Sequence, residues 1–167
     1  FIQLAGVYDQ TAVEKRSDVA CYTSPVLTES VVVSGPVKCS LWVSTSAQDT
    51  DFTAKLVDVE PNGIAANLAD GIVRLSKTSP IQLPGTVREV EIDLWDLGHT
   101  FLPGHQIRLE VASANFPRFD RNLNIIQGPE FPAIDDAVTA TQAVFHDAGR
   151  PSRLVLSVVT HVDSVEA

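Results

Sequence analysis

An all-β fold, two antiparallel sheets stacked as a jelly roll or a related sandwich, is the class the sequence predicts, and three observations carry that prediction. Segments of strand character recur at 19–24, 31–34, 37–46, 52–60, 72–75, 87–94, 106–113, 139–146 and 153–159, rich in β-branched and aromatic residues. Helical periodicity is nearly absent. Turn dipeptides punctuate the segments: Gly35-Pro36, Asn62-Gly63 after Pro61, Asp70-Gly71, Pro84-Gly85 and Pro103-Gly104, each pairing a residue that fixes φ or starts a turn with one that tolerates positive φ. Many short strands in one domain call for two sheets that each bury one face.

Taken in order, the segments show which face is buried. In 37–46, Val37, Cys39, Leu41 and Val43 share one face, and Trp42 is out of phase with them, so its indole is expected to point away from the core toward a contact surface. In 106–113, Ile107, Leu109 and Val111 alternate with Arg108 and Glu110, the period-two pattern of a half-buried strand. Alternation in four strands predicts a core of Leu41, Val43, Leu56, Ile92, Leu109, Val111, Leu154 and Leu156. The last of these strands but two runs into a different kind of segment. Asn115-Phe116-Pro117 cannot continue a ladder, because Pro117 lacks an N–H and restricts Phe116. The loop that follows, with Arg118, Phe119, Asp120 and Arg121, is too apolar and too charged for a plain connector and is expected to pack on something.

Composition excludes several classes. At 167 residues, one domain spanning 1–167 is expected, with a lead-in over 1–18, a tail over 160–167 and about 70% of the unfolded surface buried. No apolar run reaches the roughly 18 residues of a membrane span. A net charge of −9 with 12 scattered Lys and Arg repels phosphate backbones. Neither a membrane nor nucleic acid is therefore an expected partner. The chain has no Met and begins at Phe1, so it is expected to be a piece of a longer product; no signal-peptide layout opens it, which leaves the compartment unread from this end, the cytoplasm being favoured over the alternatives. Cys39 lies in phase with the apolar face, so free thiols rather than a Cys21–Cys39 bridge are expected.

Catalytic motifs are missing. No two of the nine glycines lie four apart, so there is no Gly-x-Ser-x-Gly nucleophile elbow. Zinc-binding and phosphate-binding motifs are absent, and no cofactor or metal is expected. His99 and His105 flank the Pro103-Gly104 turn and could approach one another, local hydrogen bonding being the expected outcome. His146-Asp147 are adjacent on a strand and point to opposite faces, which argues against a catalytic pair. His161 lies in the polar tail. Asp49-Thr50-Asp51 resembles the start of a calcium loop but lacks further acidic ligands at loop spacing, so a turn or an arginine partner is expected. Trp42 and Trp95 could serve as sugar-stacking platforms.

The motifs Asp49-Thr50-Asp51-Phe52-Thr53-Ala54-Lys55-Leu56-Val57-Asp58-Val59, Ile92-Asp93-Leu94-Trp95, Gly104-His105 and 113–122 together resemble the C-terminal domain of X-Pro dipeptidyl-peptidase-like and cocaine-esterase-like (CocE/NonD) serine hydrolases. The likeness extends from Asp9-Gln10 to Pro151-Ser152. Ser157, where the family often has Pro, and a less basic 75–80 stretch depart from it. The resemblance implies a galactose-binding-like jelly roll that is itself non-catalytic and packs on the α/β-hydrolase domain of the same polypeptide, helping to wall the pocket of a dipeptidyl-peptidase, esterase or acylase. A homo-oligomer is a further possible partner. The candidate pocket or interface residues are Trp42, Asp49, Asp51, Phe52, Asn115, Phe116, Arg118, Phe119, Asp120 and Arg121. An ion pair from Arg118 or Arg121 to Asp49, Asp51 or Asp120 is expected to stiffen the loop. The alternative reading is a free-standing carbohydrate- or ligand-binding sandwich, in which exposed aromatics would line a groove.

Overall fold

The computed structural model describes residues 6–78, 83–126 and 133–160. Among them are eight strands: β1 (Val19–Thr23), β2 (Val31–Thr45), β3 (Asp51–Val59), β4 (Ala65–Arg74), β5 (Arg88–Phe101), β6 (Gln106–Ala112), β7 (Gln142–Phe145) and β8 (Arg153–Val158). Two antiparallel sheets stack as a β-sandwich. The first has the order β1-β6-β3-β4; in the second β5 flanks β2, whose other edge carries β7 and then β8. The hydroxyl of Ser152 fills the gap between those two short strands, accepting from the Trp42 backbone N–H and donating to the Phe145 carbonyl.

The predicted core is observed. Leu41, Val43, Leu56, Ile92, Leu109 and Val111 are buried together with Val37, Ala54, Leu94 and Phe101, and Leu154, Leu156 and Ile107 pack against them. Each buried Leu or Ile contributes about 1.5–3 kcal/mol by leaving water. Cys21 is exposed, Cys39 is buried, and both are free thiols.

Three differences from the sequence reading have physical causes. Segments 31–34 and 37–46 are one strand, since Gly35 (φ 127°) lets β2 bend through Gly35-Pro36 rather than turn back. Strand β5 continues to Phe101 instead of stopping at Leu94. Pro36 pairs with Asp96 and Lys38 with Asp93, so Val37 alone faces Leu94 and Trp95, a β-bulge with Trp95 at φ 66°. The extra residue switches the phase: Val90, Ile92 and Leu94 point inward before it, Leu97, His99 and Phe101 after it. Finally, Asp70-Gly71 lies inside β4 and is not a turn. A Cβ at Gly71 would sit 2.1 Å from the Asp93 carbonyl oxygen, so glycine is required where the edges of the two sheets converge.

The lead-in is better anchored than its place near the chain end suggests. Asp9 bridges to Ala66, and the Gln10 N–H donates to the Ala65 carbonyl, at the β4 edge. From there residues 11–18 cross to β1 at the opposite edge of the same sheet. Val57, Val59 and Ala65 form a small second cluster on the outer face. That covering explains why β3 is buried on both faces and shows no simple alternation.

Candidate functional site

The β3–β4 hairpin turns at Pro61-Asn62-Gly63, with Gly63 at φ 90°. Its register sets Asp51 directly across from Arg74. The Arg74 guanidinium forks onto Asp51, Nε to Oδ1 and Nη2 to Oδ2 both at 2.8 Å, and reaches Asp120 with Nη1 at 3.2 Å and Nη2 at 3.3 Å. Hydrogen bonding to Asp51 above all, then to Asp120, raises the Arg74 pKa beyond its ordinary value. The stiffening arginine is therefore Arg74 and not Arg118 or Arg121. Arg118 pairs instead with Asp70, at 3.6 Å, and Arg121 lies over the Phe116 ring with its guanidinium carbon 4.2 Å from the centroid.

Asp49 and Asp51 are buried but do not form a cation loop, because their oxygens are committed. Asp49 accepts from the Thr50 and Ser76 N–H groups, from the Ser76 hydroxyl at 2.8 Å and from Asn122 Nδ2 at 3.2 Å; Asn122 also donates to Asp51 at 2.8 Å. Asn122 in turn accepts from the Asn124 N–H, and Thr50 donates to Asn124 Oδ1 while accepting from Gln142. The 115–122 loop is thus held from below by β3 and β4. Its near end is fixed by Asn115 donating to Asp70 at 2.8 Å, and the Phe116–Pro117 peptide is cis.

The candidates divide into supports and surface. Asp49, Asp51, Asn115 and Asp120 act as supports. Phe116 is 56% exposed; Arg118 and Arg121 are also exposed and Phe119 half-buried, with Arg118 over the Phe119 ring at 5.6 Å. Phe52 belongs to the core, 1% exposed, because the first residues of β3 put it on the inner face. Trp42 does point away from the core but is half-buried, with Phe145 directly across from it and Arg150 lying 3.9 Å over the Phe145 ring. The open indole is Trp95, 68% exposed at the bulge.

Sequence reasoning missed Arg74 and Asp70. Pairing about the Pro61-Asn62-Gly63 turn, which sets Val57 across from Asn67, would by itself put residue 51 opposite 73; the bulge at Leu68 moves it to 74, and the sequence carries no signal for that extra residue. Beside the loop runs a groove of about 1170 Å³ whose walls include Phe116, Arg121, Asn122 and Ile134. A smaller apolar cavity of about 330 Å³ opens between the sheets, with Tyr22, Leu41, Leu109, Val144 and Leu154 on its walls.

The other motif histidines do not assemble a catalytic centre. His99 Nε2 and His105 Nδ1 bond the two oxygens of Asp58 at 2.9 and 2.8 Å, tying β5 and the following turn to β3. His146 meets Tyr22 edge-on at 6.0 Å, and Asp147 pairs with Arg150. Among the described residues no hydrogen bond joins a serine hydroxyl to a histidine. His161 lies outside the described residues.

Comparison with known proteins supplies the family. Residues 2–155 match the X-Pro dipeptidyl-peptidase C-terminal non-catalytic domain. The chain is 42% identical over 159 residues to cocaine esterase of Rhodococcus sp. (strain MB1 Bresler), covering 92% of this chain and 28% of that protein. It superposes on an aminopeptidase from a Thaumarchaeota archaeon with a TM-score of 0.86 and 30% identity, and on an α-amino acid ester hydrolase with 0.83 and 30%, covering 92% of this chain and 28% and 27% of theirs. The chain thus spans little more than a quarter of the length of these relatives. With its two-sheet sandwich and its match over residues 2–155, the chain belongs to the X-Pro dipeptidyl-peptidase C-terminal non-catalytic domain family.

Proposed function

We propose that this chain is the accessory domain of a larger serine hydrolase acting on ester or amide bonds, that it packs on the α/β-hydrolase domain of the same polypeptide, and that its 115–122 loop helps wall the substrate pocket. The observation that carries the reading is the construction of that loop. Arg118, Arg121 and Phe116 are presented outward, with Phe119 half-buried beside them, on a base of committed carboxylates and amides, whereas a solvated connector needs no such base. Exposed aromatic and arginine side chains over a rigid support are the composition of an interface anchor. The likeness to relatives named as an esterase, an aminopeptidase and an ester hydrolase supports the reaction class.

The test uses the full-length polypeptide. Phe116→Asp combined with Phe119→Ala should lower kcat/KM on a matched ester or aminoacyl substrate by about tenfold or more, the effect of losing roughly 1.4 kcal/mol of positioning, and should separate the melting of the two domains. Wild-type turnover with a single unchanged melting transition would overturn the docking role.

A further inference from the structure

The lead-in crosses the outer face of the first sheet over a row of cross-strand partners, Cys21, Glu110 and Lys55, with Thr23, Arg108 and Val57 forming the next row. Glu14 descends from the lead-in onto this face. Its side chain is 11% exposed and that of Glu110 only 3%. The donors nearby are already engaged. Arg108 gives Nη1 to Glu14 Oε2 at 2.6 Å and Nε to the Thr23 hydroxyl at 2.8 Å. Lys55 donates to Gln10 Oε1 at 3.0 Å and stands 3.8 Å from Glu110 Oε2, beyond hydrogen-bond length. One buried oxygen on each glutamate, Glu14 Oε1 and Glu110 Oε1, has no donor, and Glu14 is near enough for its charge to raise the Glu110 pKa.

We propose that Glu14 and Glu110 share a single proton, and that this proton latches the lead-in onto β6 and is released as the pH rises. A carboxylic acid donating to a carboxylate satisfies both orphaned oxygens at once, whereas two ionised carboxylates would leave both unpaired and add like-charge repulsion between buried side chains. Burial chiefly, with the neighbouring Glu14, pushes the Glu110 carboxyl up to about 7, against the opposing pull of Lys55 and Arg108. The other titratable group facing the pair is the Cys21 thiol on β1, itself raised by burial and by both glutamates. Because the folded pKa lies above the ordinary 4.5, the latch is fully closed below that ordinary value. It weakens as pH climbs through about 7, by at most about tenfold per unit over that window.

The 167-residue chain labelled with ¹³C at its glutamate carboxyls tests this directly. The Glu110 carboxyl signal should titrate with a step near neutrality. Hydrogen-exchange protection of the Val13 and Glu14 amides, corrected for intrinsic rates, should fall about tenfold or more between pH 5 and pH 8. Glu110→Gln, whose amide donates to Glu14 permanently, should keep protection constant across that range. Should that variant fail to fold, Glu14→Gln reports from the other side and the wild-type carboxyl signals need no variant. A Glu110 signal titrating in the ordinary carboxylate range, or unchanged pH dependence in a folded Gln variant, would overturn the shared proton.

Discussion

Arg74 and Asp51 face each other across the β3–β4 hairpin as a forked pair, both contacts at 2.8 Å, and the same guanidinium extends to Asp120 on the 115–122 loop. One side chain therefore joins a buried strand end to the surface segment that carries Phe116 and Phe119. Asp51 is 2% exposed and Arg74 20%, so removing the arginine leaves a buried carboxylate uncompensated. Arg74→Leu should cost about 3 kcal/mol, the low end for breaking a buried pair because the guanidinium is partly wet. Arg74→Lys should recover only part of it, lacking the fork. Urea unfolding midpoints measure both; equal stability of all three proteins would remove the pair's structural role.

Leu109 lies 7% exposed at the centre of the β6 inner face, with Leu56 directly across on β3. Leu109→Ala should destabilise by about 2–5 kcal/mol, and Leu154→Ala on the half-buried β8 by less, since its site opens partly to solvent. A reversed order in denaturant titrations would contradict the assignment of the core.

Gly71 is intolerant of any side chain. Alanine there would drive its Cβ to 2.1 Å from the Asp93 carbonyl oxygen and 2.8 Å from Ile92 Cγ2, and backbone cannot rotate aside as a side chain can. Gly71→Ala should cost about 3 kcal/mol or more. Gly63→Ala is a useful contrast: it meets nothing within 4 Å and is strained only through its φ of 90°, so it should cost about 1–2 kcal/mol.

The two thiols should differ in reactivity. Burial pushes Cys39 up to about 12, and Cys21, though exposed, is raised by burial and by Glu14 and Glu110. A thiol-exchange reagent at pH 8 should label Cys21 alone, more slowly than a free cysteine, and both only in denaturant. Rapid labelling of two thiols in the native protein would refute the buried position of Cys39.

Much of this molecule is legible in its sequence. Period-two alternation around Leu41, Ile92 and Leu109 specifies which faces are buried, because a one-residue slip would turn every apolar side chain to water. The motifs at 49–59 and 113–122 point to the family. What tertiary structure alone decided involves long-range partners. Bulging at Trp95 re-phases β5, so an alternation count stops at Leu94 although the strand runs on to Phe101. Residues 65–70 carry no β pattern and become strand because β3 on one side and Asp9-Gln10 on the other take up their backbone groups. The candidate residues themselves were sorted by packing: Phe52 went to the core, Trp42 to a half-buried place across from Phe145, and the loop's arginine partner came from β4. Side-chain chemistry is local and can be read residue by residue, but a carboxylate's partner is whichever cation the sheet register delivers, and that register is a property of two strands at once.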